Sequence, residues 1–395
     1  MANLDVSNKR IMDTLRGRPT DRVPLVSPIS WSPLKDIDKD NPGGWRADPL
    51  FKTIARLVQE HCDPRPSYNI VQPPAVWSKA PNGYQRFLEA SPEHYEIMPS
   101  EVIGNRTRTR VVLHTPKGDL NYVYALEEGI ETVWDLERPV KTPEDVERLL
   151  SVPYKFNPPA PSAFDAFRAF RKEKGPEFLT GGGVNSMVAM LCGIMEFDLL
   201  LEWVIAEPTL IKMLADTWLE RVSEKMKYML EQGVGPFWHF NGVERASPPM
   251  MGPKQWRTLV EPYDGEIMRL IKSYDKNSII HVHCHGKVGT LLDSFMAMGV
   301  DSIDPVEPPN QGDIEIGDAK KRTGGRLTLW GNIEFVDLER ATPDEVEDKV
   351  KHAIEDGGKD HKVLCPSATP HERATERFAK NAVRYIEAGV KYGKM

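Results

Sequence analysis

The stretch SIIHVHCHGKVG, residues 278–289, carries histidines at three alternating positions, His281, His283 and His285, with Cys284 between the last two. On an extended chain successive side chains point to opposite faces, so the three imidazoles share one face and Val282, Cys284 and Gly286 the other. Same-face neighbours two residues apart can ligate one ion at Zn–N distances of about 2.0–2.1 Å. The competing reading is a set of core histidines satisfied by hydrogen bonds. Three on one face weigh against it, because every buried ring nitrogen then needs its own partner. His283 and His285 are the expected metal ligands, His281 lies deeper on the strand, and Cys284 is expected to pack against helices.

Other polar residues close neighbouring apolar runs. PFWHFNGVE, residues 236–244, ends in His239, Asn241 and Glu244. Glu244 is expected as the third metal ligand or as a general base, a pairing with Arg245 being the ordinary alternative. His239 or His281 is the candidate proton donor. Asp304 and Glu307 in SIDPVE, and Asn332 and Glu334 in LTLWGNIE, can shape a pocket or orient a ligating histidine. The glycines of GGGVN, residues 181–185, allow close backbone approach to a bound molecule beside Asn185, but no phosphate-loop Lys-Ser/Thr follows them. Trp31, Trp238 and Trp330 are candidates for an aromatic wall or for core packing. Glu261 falls on a helical segment and is the weaker carboxylate.

Such groups need strands to hold them, and eight short apolar or β-branched runs are present: residues 23–30, 68–74, 178–185, 236–244, 278–286, 302–307, 327–334 and 362–369. Helical patterns separate most of them. DLLLEWVIAEPTLIKMLADTWLERVSEKMKYMLEQG shows three- and four-residue apolar spacing broken at Pro208, and TPDEVEDKVKHAIEDGG opens on Thr and acidic residues and closes on glycine. Alternation of this kind predicts an α/β protein, a (β/α)8 TIM barrel formed as a single domain over residues 1–395, with functional groups at the C-terminal ends of the strands. From about 80 to 160 the pattern changes. RTRTRVVLHTPKGDLNYVYALEEG reads as two alternating strands joined by TPKGD, so a β-rich insertion or cap near the N-terminal third is expected.

Composition limits the partners. A net charge of −7, from 51 Lys+Arg against 58 Asp+Glu, leaves no footprint for nucleic acid or an anionic membrane surface. No run approaches the ~18–20 apolar residues of a membrane span, and the start of the chain has no signal-peptide pattern. Four scattered cysteines, Cys62, Cys192, Cys284 and Cys365, make no disulfide framework. A cytoplasmic protein is expected, with a homo-oligomer left open.

Four stretches together, NKRIMDTLRGRPTDRVPL, GVERASPPMMGPKQWRTLVEPYDGEI, HVHCHGKVGTLLDSFMAMGVDSIDP and GDAKKRTGGRLTLWGNIE, resemble the uroporphyrinogen decarboxylase superfamily and, within it, the corrinoid-linked methyltransferase branch. The resemblance implies a (β/α)8 barrel with its site at the C-terminal mouth. The decarboxylase proper grips propionates with N-terminal arginines; SPISWSPLKDID has none here. Thiol methyltransferases of the branch hold zinc with His-x-Cys-Gly and a later cysteine. This chain has His283-Cys284-His285-Gly286, so His285 takes the cysteine slot, while LCPSATP puts Ala368 in the second slot and Cys365 three residues earlier. Glu244, His283 and His285 would make a harder N/O zinc site, suited to an oxygen leaving group. The resemblance thus implies methyl transfer from a small O-methyl donor, plausibly a methoxylated aromatic, to the corrinoid of a partner protein, with Asn241, Asp304 and Glu307 shaping the pocket. The alternatives are a metal-assisted decarboxylase, lyase or hydrolase, and a non-catalytic corrinoid or tetrapyrrole binder.

Overall fold

The computed structural model describes residues 4–40, 42–65, 73–75 and 92–395. Two sheets organise them. The first is antiparallel and five-stranded: β1 (Tyr95–Ile97), β2 (Glu101–Ile103), β3 (Arg106–Leu113), β4 (Leu120–Glu127) and β5 (Ile130–Glu137). The second has six parallel strands whose spatial order follows the chain: β6 (Gly181–Asn185), β7 (Phe237–Asn241), β8 (Ile279–His283), β9 (Ser302–Asp304), β10 (Thr328–Ile333) and β11 (Lys362–Pro366). Each parallel step is spanned by at least one helix, as a crossover connection requires. These six strands fall inside the last six runs expected from the sequence.

The first two expected runs differ. In residues 23–30 only Leu25 and Val26 pair, Leu25 with Leu364 of β11 and Val26 with Asp63, both in parallel sense. Pro24 and Pro28 flank the pair and lack the N–H donors a longer ladder needs. Of residues 68–74, positions 68–72 lie outside the described residues, and Pro73 and Pro74 are not in a strand. Among the described residues the ladder therefore runs from β6 to β11 and on through Leu25 and Val26 to Asp63, and no pairing returns it to β6.

The helix Leu4–Leu15 explains the N-terminal motif. Its Ile11, Met12 and Leu15 pack with Phe237, Ile279, Trp330 and Val363, at or near the N-terminal side of the parallel strands. Arg10 holds it there by ion pairs to Asp21 and to the buried Asp63. In the antiparallel sheet, Val111, Leu113, Leu120 and Tyr122 join the main core, whereas Arg106, Arg108 and Arg110 alternate outward. The TPKGD segment turns between β3 and β4, with the Thr115 hydroxyl donating to the Gly118 carbonyl at 2.6 Å. The long helical pattern divides at Pro208 into Phe197–Ala206 and Pro208–Glu231. Thr342 and Glu345 form a capping box at the start of Pro343–Gly357. No described helix is long and apolar enough to cross a membrane.

One buried carboxylate of the framework has a measurable signature. Ser186 caps the helix Met187–Ile194, and its hydroxyl donates at 3.0 Å to Asp264, which opens the helix Asp264–Tyr274. Asp264 is fully enclosed and its second oxygen has no partner among the described residues. Burial pushes its carboxyl up from 3.8 to about 7, against the hydrogen bond from Ser186. The folded state thus holds a proton that the unfolded state releases between these values, so stability falls as pH rises through that window. The distance from 3.8 to about 7 corresponds to roughly 4 kcal/mol as an upper figure. Asp264→Asn is therefore expected to be more stable than the parent at pH 8 and close to it at pH 4.5. Urea unfolding at the two pH values checks this; an equal difference at both would remove the carboxyl as its cause.

Candidate active site

The parallel register stacks the polar residues in tiers. Gly183, His239, His281 and Ser302 are successive partners across β6, β7, β8 and β9. Two residues further along, Asn185 pairs with Asn241, and His283 with Asp304. Partners in a parallel ladder face the same side, and the intervening Val184, Phe240, Val282 and Ile303 are buried in the core on the other. The strand period is what brings residues from four separate segments to one surface.

Asp304 is the hub of this surface. One carboxylate oxygen accepts from His283 Nδ1 and His281 Nε2, each at 3.0 Å; the other accepts from Arg65 at 3.1 Å. Burial opposes its charge, but His283 and His281 outweigh that penalty and hold the carboxyl well below its ordinary value. Conversely, burial works to lower His283, yet the charge and hydrogen bond of Asp304, with a further contribution from Glu244, leave it raised. His281 completes its bonding through Nδ1, 3.0 Å from the Ser302 hydroxyl. Trp330 lies against it with a ring separation of 4.8 Å.

The outer tier begins beyond β8. His285 Nδ1 meets Glu307 at 2.7 Å, and the other oxygen of Glu307 accepts from the Gly286 N–H at 2.6 Å. Gly286 has φ +92°, and a Cβ there would lie 3.0 Å from the Pro248 carbonyl oxygen, so this turn calls for glycine. Glu244 follows β7 in the short 3-10 turn Val243–Ala246, and one of its oxygens is enclosed with no partner among the described residues. The Ser247 hydroxyl lies between the carbonyl oxygens of Glu244 and His285, at 2.8 and 3.0 Å, fastening this turn to the segment after β8. Glu334 accepts from the Ser367 hydroxyl at 3.1 Å, and its other oxygen is enclosed and unpartnered among the described residues. Burial, then Glu307, pushes Glu334 up to about 7, so this carboxyl can donate as well as accept near neutrality.

This geometry bears on each expected residue. His283 and His285 are each anchored through Nδ1 by a carboxylate, and neither Nε2 has a hydrogen-bond partner among the described residues. Carboxylate-to-Nδ1 bonds of this kind fix the tautomer and orientation of zinc-binding imidazoles. With the orphaned oxygen of Glu244, the three residues fit an N/O metal site in chemistry and orientation. They have not converged: the described groups whose ligand atoms lie within 4.8 Å of one another are His239, His281 and Asp304, and the exposed Glu315, His352 and Asp356. Cys284 is buried in the core with its thiol pushed far up by burial and by Glu244. Cys365 is likewise enclosed, its thiol pushed up to about 12 by burial.

Other expectations are revised. Burial, then the neighbouring His281, lowers His239 to about 3. A neutral imidazole is a poor acid at neutral pH, and His281 has both nitrogens engaged, so their surroundings weigh against a proton-donor role for either. Asp304 and Glu307 act as partners of histidines, and Arg65 takes the remaining oxygen of Asp304. Trp238 points away from His239 into the main core, because the two are adjacent on one strand. Trp31 packs edge-on against Phe51 in a separate core cluster. Only Trp330 touches the histidines, from below, so the three indoles do not form one wall. Asn185, Asn241 and Asn332 stand half-buried at strand ends, the Oδ1 of Asn332 without a partner among the described residues. Glu261 accepts from Ser294 at 2.6 Å between helices, apart from this cluster. Arg65 escapes the sequence reading because it lies within a stretch, CDPRP, that has no strand periodicity; a single basic residue between prolines is its only signal.

Comparison with known proteins adds the following. The model of the uroporphyrinogen decarboxylase (URO-D) family matches residues 126–367, more than half of the chain. No curated protein matches the sequence. A solved methyltransferase from Methanosarcina mazei superposes with a TM-score of 0.52 at 18% identity, covering 98% of each chain, which places the two in one fold. A B12-independent methionine synthase from Shewanella, solved with selenomethionine, aligns at 12% identity over 76% of each chain with a TM-score of 0.35.

Proposed function

The chain belongs to the uroporphyrinogen decarboxylase family, and from that premise we propose that it is a zinc-dependent methyltransferase, moving a methyl group from a small O-methyl donor, a methoxylated aromatic being the leading class, to the corrinoid of a partner protein. The observation that carries this reading is the matched pair of anchored imidazoles, Asp304 with His283 and Glu307 with His285, beside the orphaned carboxylate oxygen of Glu244. The same reading takes the parallel sheet as part of a closed (β/α)8 barrel and residues 80–160 as an insertion on it.

Glu244, His283 and His285 would hold the zinc, whose contribution when bound is Lewis acidity at the oxygen that loses its methyl group. The protein's own groups prepare that position. Asp304 and Glu307 keep both Nδ1 atoms protonated, so both Nε2 lone pairs face outward from their anchors. Arg65 offsets the charge of Asp304. Asn185, Asn241 and Asn332 offer amides at the strand ends where the donor's remaining polar groups would lie.

The test is direct. Purified protein with zinc, a methoxylated aromatic and cob(I)alamin or a reduced corrinoid protein is expected to give the methyl-cobalt absorption and one free phenol per methyl group. Glu244→Gln is expected to lower that rate by about 10²-fold. Absence of methyl-cobalt with a panel of O-methyl donors would sink the proposal. A second reading, a metal-assisted decarboxylase or lyase, draws support from Arg65, a cation beside the histidine cluster that could face a substrate carboxylate. Corrinoid-independent turnover with release of carbon dioxide would select it.

A further inference from the structure

The inner tier holds a group that hydrogen bonding leaves unexplained. His239, His281 and Asp304 come from β7, β8 and β9, and their ligand atoms all lie within 4.8 Å of one another. His281 and Asp304 are satisfied by one another and by Ser302, His283 and Arg65. His239 is not. Its Nε2 is enclosed with no partner among the described residues, although its ring stands 5.1 Å from that of His281 and 6.2 Å from that of His283. A buried ring nitrogen without a partner carries its full desolvation penalty. The sheet surface beside its backbone is open as well. Gly183, its partner on β6, is exposed, and a Cβ there would meet nothing nearer than the His239 carbonyl oxygen at 3.8 Å.

We propose that His239, His281 and Asp304 form a second site for a first-row divalent cation, one tier below the Glu244, His283 and His285 position. Two imidazoles and a carboxylate are a donor set for zinc or iron(II), with open positions left for water or ligand. His239 contributes the lone pair of Nε2. His281 binds with its proton on Nδ1, donated to the Ser302 hydroxyl 3.0 Å away, and with the Nε2 lone pair turned from Asp304 to the cation. Asp304 contributes the oxygen that also accepts from His283, and retains Arg65 on the other. One carboxylate thereby joins the inner cation to the imidazole that serves the outer one. The inner site stands on its own residues; only its description as the second site rests on the function proposed above.

Zinc and cobalt(II) alone are sufficient probes, with metal content measured after removal of loosely bound ions and the cobalt absorption read in the visible. The exposed Glu315, His352 and Asp356 group is removed throughout by His352→Ala, so that it contributes to no count. On that background the protein is expected to retain two equivalents of zinc, and one in both the Glu244→Gln/His285→Ala protein and the His239→Leu protein. The cobalt band that persists in the Glu244→Gln/His285→Ala protein is expected to vanish when His239→Leu is added. Gly183→Val fills the space beside the His239 backbone without replacing a proposed ligand, and is expected to lose the same equivalent even if His239→Leu folds poorly. Unchanged zinc content in both His239→Leu and Gly183→Val overturns the inner site, as does a Glu244→Gln/His285→Ala protein that binds none. One equivalent in the parent, lost with His239→Leu and kept with Glu244→Gln/His285→Ala, upholds the inner site and overturns the outer zinc assignment.

Discussion

Asp304→Ala is expected to cost about 3–5 kcal/mol of stability and to leave no detectable methyl transfer. The carboxylate is almost wholly enclosed and receives three hydrogen bonds, from His281, His283 and Arg65. Removing one member of a buried charge network leaves the others desolvated and unpaired, and losses of that size follow. One of the released groups, Arg65, is a cation that cannot shed its proton. Asp304→Asn separates the contributions. It keeps the volume and can still accept, but it removes the opposite charge that raises the proton affinity of His283, which should therefore fall. Urea midpoints for both variants, with the His283 titration followed by NMR, give the result. A loss below about 1 kcal/mol for Asp304→Ala would mean that the network contributes no more than an exposed pair.

The centre of the sheet was readable because its signal is local. Six apolar runs became β6 to β11 since each alternates or continues over three to six residues and ends in polar groups, and a two-residue period needs no distant partner to be recognised. The same period put His281, His283 and His285 on one face and Cys284 in the core. The period misled only where it was not applied to neighbours: Trp238 and His239 are adjacent, so they cannot share a wall. Residues 23–30 looked like a strand by composition, but Pro24 and Pro28 confine the pairing to two residues. What stayed illegible is pairwise. Nothing in SIDPVE says that Asp304 receives His283 or that Glu307 receives His285, because register and loop geometry decide those contacts after the strands have assembled. Arg65 illustrates the limit, since its partner Asp304 lies more than two hundred positions away.

His283→Ala is expected to lower kcat/KM for methyl transfer by about 10³-fold and to release the zinc held with Glu244 and His285, while stability changes less than in Asp304→Ala. The magnitude follows from losing a group that acts on charge developing at the reacting oxygen, for which a single removal costs about 10²–10³-fold. His283 is more accessible than Asp304 and bonds to it through one nitrogen, so its removal leaves Asp304 with His281 and Arg65 still in place. Glu307→Gln supplies the comparison. It leaves every proposed ligand present but replaces the acceptor of His285 Nδ1 with an amide that can donate, so the imidazole can take the wrong tautomer or turn away. A loss of about 10–100-fold in zinc affinity or activity is expected for a partner of this kind. The two variants must therefore differ in kind: zinc absent in His283→Ala, and zinc weakened but restored by excess metal in Glu307→Gln, with activity returning alongside. Full zinc content and rate in His283→Ala would remove that imidazole from the metal site. Failure of excess zinc to rescue Glu307→Gln, in a protein that binds zinc normally, would move Glu307 from positioning His285 to meeting the substrate itself.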